Sequence, residues 1–418
     1  MTDVISITRR GLMIGGSVVA GAVAATSSAK RALAQGGPTE RLAYVGCYTP
    51  PGEGIVLYRV NADTGAMTQV KVFSGISNPS WIALDPLHRV LYAVNEDAPS
   101  GGVSAFTVDH ASGDLKLINK VDSHGKWPCH LSVHPSGKFV LVANYGTGNV
   151  SVFPILANGG LGDPPDTESD TGALNPPKAA DNPPGNFAPS DHTGPKMHMI
   201  QTDPSGQFVI ANDAGLDKTL IWTLDLQTGK LTPAATPSVP STPGSAPRHF
   251  AFLPNGRVFY NLHEQDGIVT VADFDPKTGA MKEKQSISVL PKGFGGSNLC
   301  SELAVSPDGR FVYAAARGHD AITELAVGAG GELTWASEAW SHADYPRSFA
   351  IDPAGRFLFA CNQKGDAVTS FQIDPHSGGL TFTGQFVPVG APVTMTFLSY
   401  PSLFRRRRGF AGGCRGTR

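Results

Sequence analysis

The sequence predicts an all-β fold, a seven-bladed β-propeller built from four-stranded antiparallel blades. Three observations predict it. One glycine-centred turn signal recurs seven times, a Pro-containing turn signal falls between its copies six times, and the stretches between them lack helical periodicity. Repeats of about 50 residues must stack to bury their hydrophobic faces, and closing the stack into a ring leaves no long exposed edge. With 49 glycines, 33 prolines and only 16% charged residues, the composition is globular and turn-rich, which excludes disordered, collagen-like and coiled-coil classes.

The N-terminal element is an address. Arg9-Arg10 precedes an apolar, Gly/Ala-rich run from Leu12 to Ala25, and Ala32-Leu33-Ala34 forms a small-residue cleavage site before Gln35. Paired arginines ahead of a weakly hydrophobic core match a twin-arginine export signal. Residues 1–34 are therefore expected to be removed and the mature protein to be periplasmic or secreted. An ordinary secretory signal with two chance arginines is the alternative. The run falls short of the roughly 20 residues that span a bilayer, so no stable membrane anchor is expected after cleavage.

The propeller is expected over residues 40–398. Its first turn family aligns on Gly65, Gly113, Gly160, Gly229, Gly279, Gly331 and Gly379, as in Asp63-Thr64-Gly65-Ala66-Met67, with spacings of 48, 47, 69, 50, 52 and 48. Glycine supplies the positive φ of a tight hairpin, and an apolar residue just after it starts the next strand. The second family is Asp85-Pro86, His134-Pro135-Ser136-Gly137, Asp203-Pro204-Ser205-Gly206, Leu253-Pro254-Asn255-Gly256, Ser306-Pro307-Asp308-Gly309 and Asp352-Pro353-Ala354-Gly355. Proline presets φ there and glycine closes the turn. Pairing of Leu42–Tyr48 with the last blade near Val387–Phe397 is expected to close the ring.

The one long interval marks a Pro/Asp-rich insertion at 161–195, with eight prolines. A loop of this length is a lid, a binding loop or disordered, and it is expected to flank the mouth of the central channel. The tail at 399–418, with Arg405 to Arg408 in a row, does not continue the repeat and is expected to be disordered.

Charge narrows the partners. Lys and Arg total 33 and Asp and Glu 35; the two ends hold ten of the bases and one acid, leaving 23 against 34, a body near −11. Such a body repels phosphate backbones, so nucleic acid is not an expected partner. The five cysteines (Cys47, Cys129, Cys300, Cys361, Cys414) fit no zinc spacing and are expected to be small buried hydrophobes in strands.

Function is expected where the blades differ. The innermost strands open with Ser80-Trp81, Cys129-His130, His198-Met199, Arg248-His249, Ser301-Glu302 and Arg347-Ser348. The far ends of the following strands carry Glu96, Tyr145, Glu264, Arg317 and Gln363, with Asp213 or Ala214 in the fourth blade. Both rings gather histidines, arginines and carboxylates near one axis, where they either fill the channel as an ion-pair network or prepare acid, base and anion-binding groups. No histidine pair at zinc spacing, EF-hand loop or phosphate-binding glycine loop occurs, and the rings hold more Arg and His than acid. No metal or cofactor is expected.

At these residues the chain resembles the lactonase family of seven-bladed propellers, which contains cytoplasmic 6-phosphogluconolactonases and fungal carboxymuconate cyclases. The matching segments include Tyr44-Val45-Gly46-Cys47-Tyr48-Thr49, Leu91-Tyr92-Ala93-Val94-Asn95-Glu96, Pro128-Cys129-His130, Pro247-Arg248-His249, Arg317-Gly318 and Tyr345-Pro346-Arg347-Ser348-Phe349. The resemblance implies a catalytic set of His198, Arg248, Glu264 (sixteen residues after that arginine) and Arg317, with His130, His249, Arg347 and Glu96 in the substrate-binding pocket. The chain departs from the pattern at Lys196, where many members carry a histidine two residues before the one matching His198. The implied function is an exported hydrolase that opens a sugar-acid or related lactone, 6-phosphogluconolactonase-like, with a small lactone or carboxylate as its partner. A carboxymuconate-type cycloisomerase and a non-enzymatic ligand-binding propeller are the alternatives. Either His198 or Glu264 is the base, and Arg248 or Arg317 meets the developing oxyanion.

Overall fold

A computed structural model describes residues 40–398; the segment expected to be an export signal, the basic tail and Cys414 lie outside the described residues. The described residues form 28 strands and no helix, arranged as seven four-stranded antiparallel sheets. Blade 1 joins the two ends of the chain. Its inner strand is Pro392–Leu398, followed outward by Glu40–Cys47, Ile55–Asn61 and Met67–Phe73. Closure therefore comes from pairing Glu40–Cys47 with Pro392–Leu398, as in Tyr44 opposite Thr396, and not from the outer strand of the last blade, Leu380–Pro388. That arrangement satisfies the backbone of what would otherwise be two free edges.

The two turn families occupy fixed places in the blades. Pro-containing turns join the first strand to the second in blades 2 to 7, and glycine turns join the third to the fourth in all seven. The left-handed glycines of the latter are Gly65, Gly113, Gly159, Gly229, Gly279, Gly331 and Gly378. In the third and seventh copies the residue with positive φ thus precedes the aligned glycine by one, which sets Leu161 and Leu380 at the same offset as their counterparts. In the first Pro turn His88 holds the left-handed position (φ 55°) that Gly137, Gly206, Gly256, Gly309 and Gly355 take elsewhere.

The insertion begins later than its glycine spacing suggests. Asp166–Ser169 is the outer strand of blade 3, short but hydrogen-bonded to Asn149–Pro154. The irregular stretch runs from the end of that strand to Met197.

The core is divided into seven hydrophobic clusters, one per interface between neighbouring blades. Second strands such as Val90–Asn95 and Phe311–Ala316 are buried on both faces, since each blade packs against two others. Four interfaces carry one extra stitch. Tyr44, Tyr92, Tyr260 and Tyr313 donate their buried hydroxyls to the carbonyls of Gly113, Gly159, Gly331 and Gly378 on the next blade. Cys47, Cys129, Cys300 and Cys361 are buried free thiols inside this packing, and burial pushes the thiols of Cys47 and Cys300 up to about 12.

Candidate active site

Five inner strands begin with a β-bulge. The register slips between Pro128 and His130, Met197 and Met199, Pro247 and His249, Cys300 and Leu303, and Pro346 and Ser348. A bulge lets two consecutive residues serve one side of a sheet, which is how pairs such as Arg248-His249 gather at the channel. Five blades enter the inner strand through a non-glycine residue in the left-handed region: Asn78, Trp127, Ala246, Tyr345 and Ala391. Such conformations cost energy and persist where surrounding contacts impose them. Here the imposed contact recurs. The carbonyl of each accepts an N–H from the residue just past the end of the next strand, namely Glu96, Tyr145, Glu264, Gln363 or Tyr48, at distances such as 2.7 Å for Glu264 to Ala246. Ala214 to Lys196 and Arg317 to Leu299 make the same bond. The ring is therefore Tyr48, Glu96, Tyr145, Ala214, Glu264, Arg317 and Gln363, and Ala214 rather than Asp213 is the fourth blade's member.

Glu264 is the centre of the mouth. Its Oε2 lies 2.6 Å from Arg317 Nη2 and 3.0 Å from Arg248 Nε, the latter an ion-pair contact without the alignment of a directed hydrogen bond. Its Oε1 accepts the Ser190 hydroxyl at 3.1 Å. Burial alone raises a carboxyl pKa, but Arg317, Arg248 and the Ser190 hydroxyl outweigh it and hold Glu264 below its ordinary value. The cluster carries two guanidinium charges against one carboxylate, a net positive centre. Burial, followed by repulsion from Arg317 and Arg347, brings Arg248 down to about 10, still charged at neutral pH.

Arg317 is fully engaged by protein, donating also to the carbonyls of Leu299 and Cys300 and lying over the Tyr345 ring. Arg347 is the least engaged. It sits over the Tyr48 ring and only 4.0 Å from Glu96, whose carboxylate accepts the Tyr48 hydroxyl at 2.7 Å. Lys196 reaches Asp191 at 3.3 Å beside the Tyr145 ring, and Lys364 lies 3.9 Å from the Tyr345 centroid.

Three histidines pack below the arginines. His198 meets His249 at 5.2 Å between ring centroids, His249 meets His130 at 5.6 Å, and Trp81 closes the group. Burial first, then the neighbouring cations, keeps all three well below their ordinary pKa and hence neutral. His198 Nδ1 and His249 Nε2 are buried without a partner. His249 Nδ1 is 3.0 Å from Glu302, whose carboxyl burial pushes up to about 8. Beyond this layer the channel opens at the opposite face into a funnel of about 750 Å³, lined by Trp81, His130, Met199 and Glu302 among others.

The eight sequence-derived residues thus line the channel at two depths. Arg248, Glu264, Arg317, Arg347, Glu96 and His198 surround the mouth, whereas His249 and His130 form its floor. His130 also accepts the Ile200 backbone N–H at 3.4 Å. Tyr48 is legible only by carrying the ring to its seventh member. Ser190, on the insertion, has no signal in the repeat.

Residues 42–397 match the profile of a family described as "Lactonase, 7-bladed beta-propeller". A 6-phosphogluconolactonase of Bacillus subtilis is 34% identical over 363 residues, covering 86% of this chain and 99% of its own length. A 6-phosphogluconolactonase of Formosa agariphila is 27% identical, covering 85% and 99%. Among solved structures, a periplasmic gluconolactonase of Pseudomonas aeruginosa superposes with a TM-score of 0.78 at 30% identity, over 87% of this chain and all of its own.

Proposed function

Because this chain belongs to the lactonase family of seven-bladed β-propellers, we propose that it is an exported lactonase that hydrolyses a sugar-acid or related lactone at the mouth formed by His198, Arg248, Glu264, Arg317 and Arg347. The observation that carries the proposal is the net positive Arg248–Glu264–Arg317 cluster beside a neutral histidine. Hydrolysis requires water to add to the ring carbonyl, and negative charge then grows on the carbonyl oxygen. The surplus guanidinium charge stabilises that oxygen in a water-poor site, a role worth about 3 kcal/mol per donor.

Glu264 is a poor base on this reading, because both its oxygens already accept hydrogen bonds or ion pairs, whereas His198 Nδ1 is buried without a partner. It orients the arginines. His198 takes the proton from the attacking water and returns it to the ring oxygen as the C–O bond breaks, leaving a hydroxy acid that ionises. Arg347, with its looser protein contacts, grips the substrate's own carboxylate or hydroxyls. The sequence relation to 6-phosphogluconolactonases and the structural relation to a periplasmic gluconolactonase both support a lactone substrate.

A panel of phosphorylated and plain aldonolactones and muconolactones, followed with a pH indicator, tests the activity; proton release with none of them contradicts it. Export through a twin-arginine signal over residues 1–34 accords with the periplasmic relative. Fractionation of cells carrying Arg9→Lys/Arg10→Lys tests it, and undiminished export of that variant contradicts it.

A further inference from the structure

We propose that Ser190, on the insertion between blades 3 and 4, is a positioning residue of the active site whose hydroxyl fixes Glu264 in its arginine clamp. Both arginines approach the same oxygen, Oε2, at 2.6 and 3.0 Å. Contacts to one oxygen leave the carboxylate free to turn about its last torsion. The Ser190 hydroxyl on Oε1 removes that freedom and sets the plane against which both guanidinium groups align.

The insertion is built to deliver this hydroxyl. The Ser190 N–H donates to Gln265 Oε1 at 2.6 Å, and Gln265 is the chain neighbour of Glu264. The Gln265 amide donates in turn to the Ala188 carbonyl at 2.8 Å, closing a reciprocal pair with the loop. Asn186 donates to the Asn298 carbonyl at 3.0 Å, fastening the loop to the entry of blade 6. On the other side His192 lies 3.2 Å from Asp217, which also accepts the Ala246 N–H at 2.7 Å. Ala246 is the residue whose carbonyl receives Glu264. Asn186, Ser190, His192, Asp217 and Gln265 are all buried. Buried polar groups are tolerated only when partnered, so this degree of mutual satisfaction marks a fixed wall rather than a passing loop conformation.

The test follows the Glu264 carboxyl directly by ¹³C NMR titration of glutamate-labelled protein, with the signal assigned by its loss in Glu264→Gln. The other titratable groups facing Glu264 are Arg248, Arg317, His192, His249, Tyr145 and Cys300, which is why a site-specific signal is needed. Ser190→Ala removes a donor that favours the ionised form. The Glu264 pKa is expected to rise by about half a unit or more, while Ser190→Thr restores it. Ser190→Cys, nearly isosteric but a weaker donor, is expected to fall between and stands in should the alanine variant fold poorly.

The kinetic arm rests on the lactonase reading. Ser190→Ala is expected to lower kcat/KM about tenfold, with threonine rescuing it, as fits a hydrogen bond to a charged group. An unchanged Glu264 titration in Ser190→Ala overturns the inference. If the wild-type protein opens no lactone, the functional reading fails, and the carboxyl titration still decides the role of Ser190.

Discussion

Glu264 keeps its charge in a buried setting because two arginines and a hydroxyl outweigh the cost of burial, and His198 stays neutral because burial and the same arginines penalise its charged form. Glu264 is thus ionised and His198 neutral at neutral pH. Protonation of a carboxylate with a depressed pKa, or of a histidine with a depressed pKa, is felt only as pH falls through the lowered value. The acid limb of kcat/KM is therefore expected well below the ordinary histidine range, and a limb centred within that range contradicts these assignments. Arg347, half engaged at the rim, is expected to act in ground-state binding, so Arg347→Ala should raise KM severalfold with little change in kcat; an equal fall in kcat and kcat/KM argues instead for a transition-state role. The arginines, Glu264 and His198 are legible in the sequence because each breaks a repeat at an aligned position. Ser190 is not, because it lies 74 residues from Glu264 on a segment that follows no period.

At the scale of the strand and turn, local chemistry fixes the architecture. A glycine at the third-to-fourth strand turn serves twice, adopting positive φ and leaving room for a side chain of the neighbouring blade. At Gly279 φ is 74°, and an added Cβ would sit 2.8 Å from Phe208. Gly279→Ala is expected to cost about 1–2 kcal/mol, read as a lowered denaturation midpoint with an unchanged m-value; no loss would show that the turn relaxes freely. Turn signals alone make seven blades legible in the sequence. Two glycines align one residue late, since Gly159-Gly160 and Gly378-Gly379 offer adjacent candidates and only the backbone φ decides between them. The recurrent bulge is hidden for a related reason. It is a register shift, and its left-handed entry residues, such as Trp127 and Tyr345, are not types that announce positive φ.

At the scale of the whole molecule, the ring is closed by a single strand from the far end of the chain. Pro392–Leu398 supplies the inner edge of blade 1 and packs within the clusters that join blade 1 to its neighbours. Ending the chain after residue 391 is expected to abolish the cooperative thermal transition, since it exposes the edge of Glu40–Cys47 and removes Met395 and Phe397 from the core; a sharp transition near the wild-type temperature contradicts this closure. Closure also matters to the mouth, which draws its residues from several blades and holds its geometry only while the ring is intact. The most direct test of the functional account is the turnover of the best lactone in the panel by wild-type protein, Glu264→Gln and His198→Ala, each confirmed folded. Each variant is predicted to lose roughly 10²-fold or more in kcat; full turnover by both would contradict a catalytic mouth at these residues and put the chemistry elsewhere on the propeller.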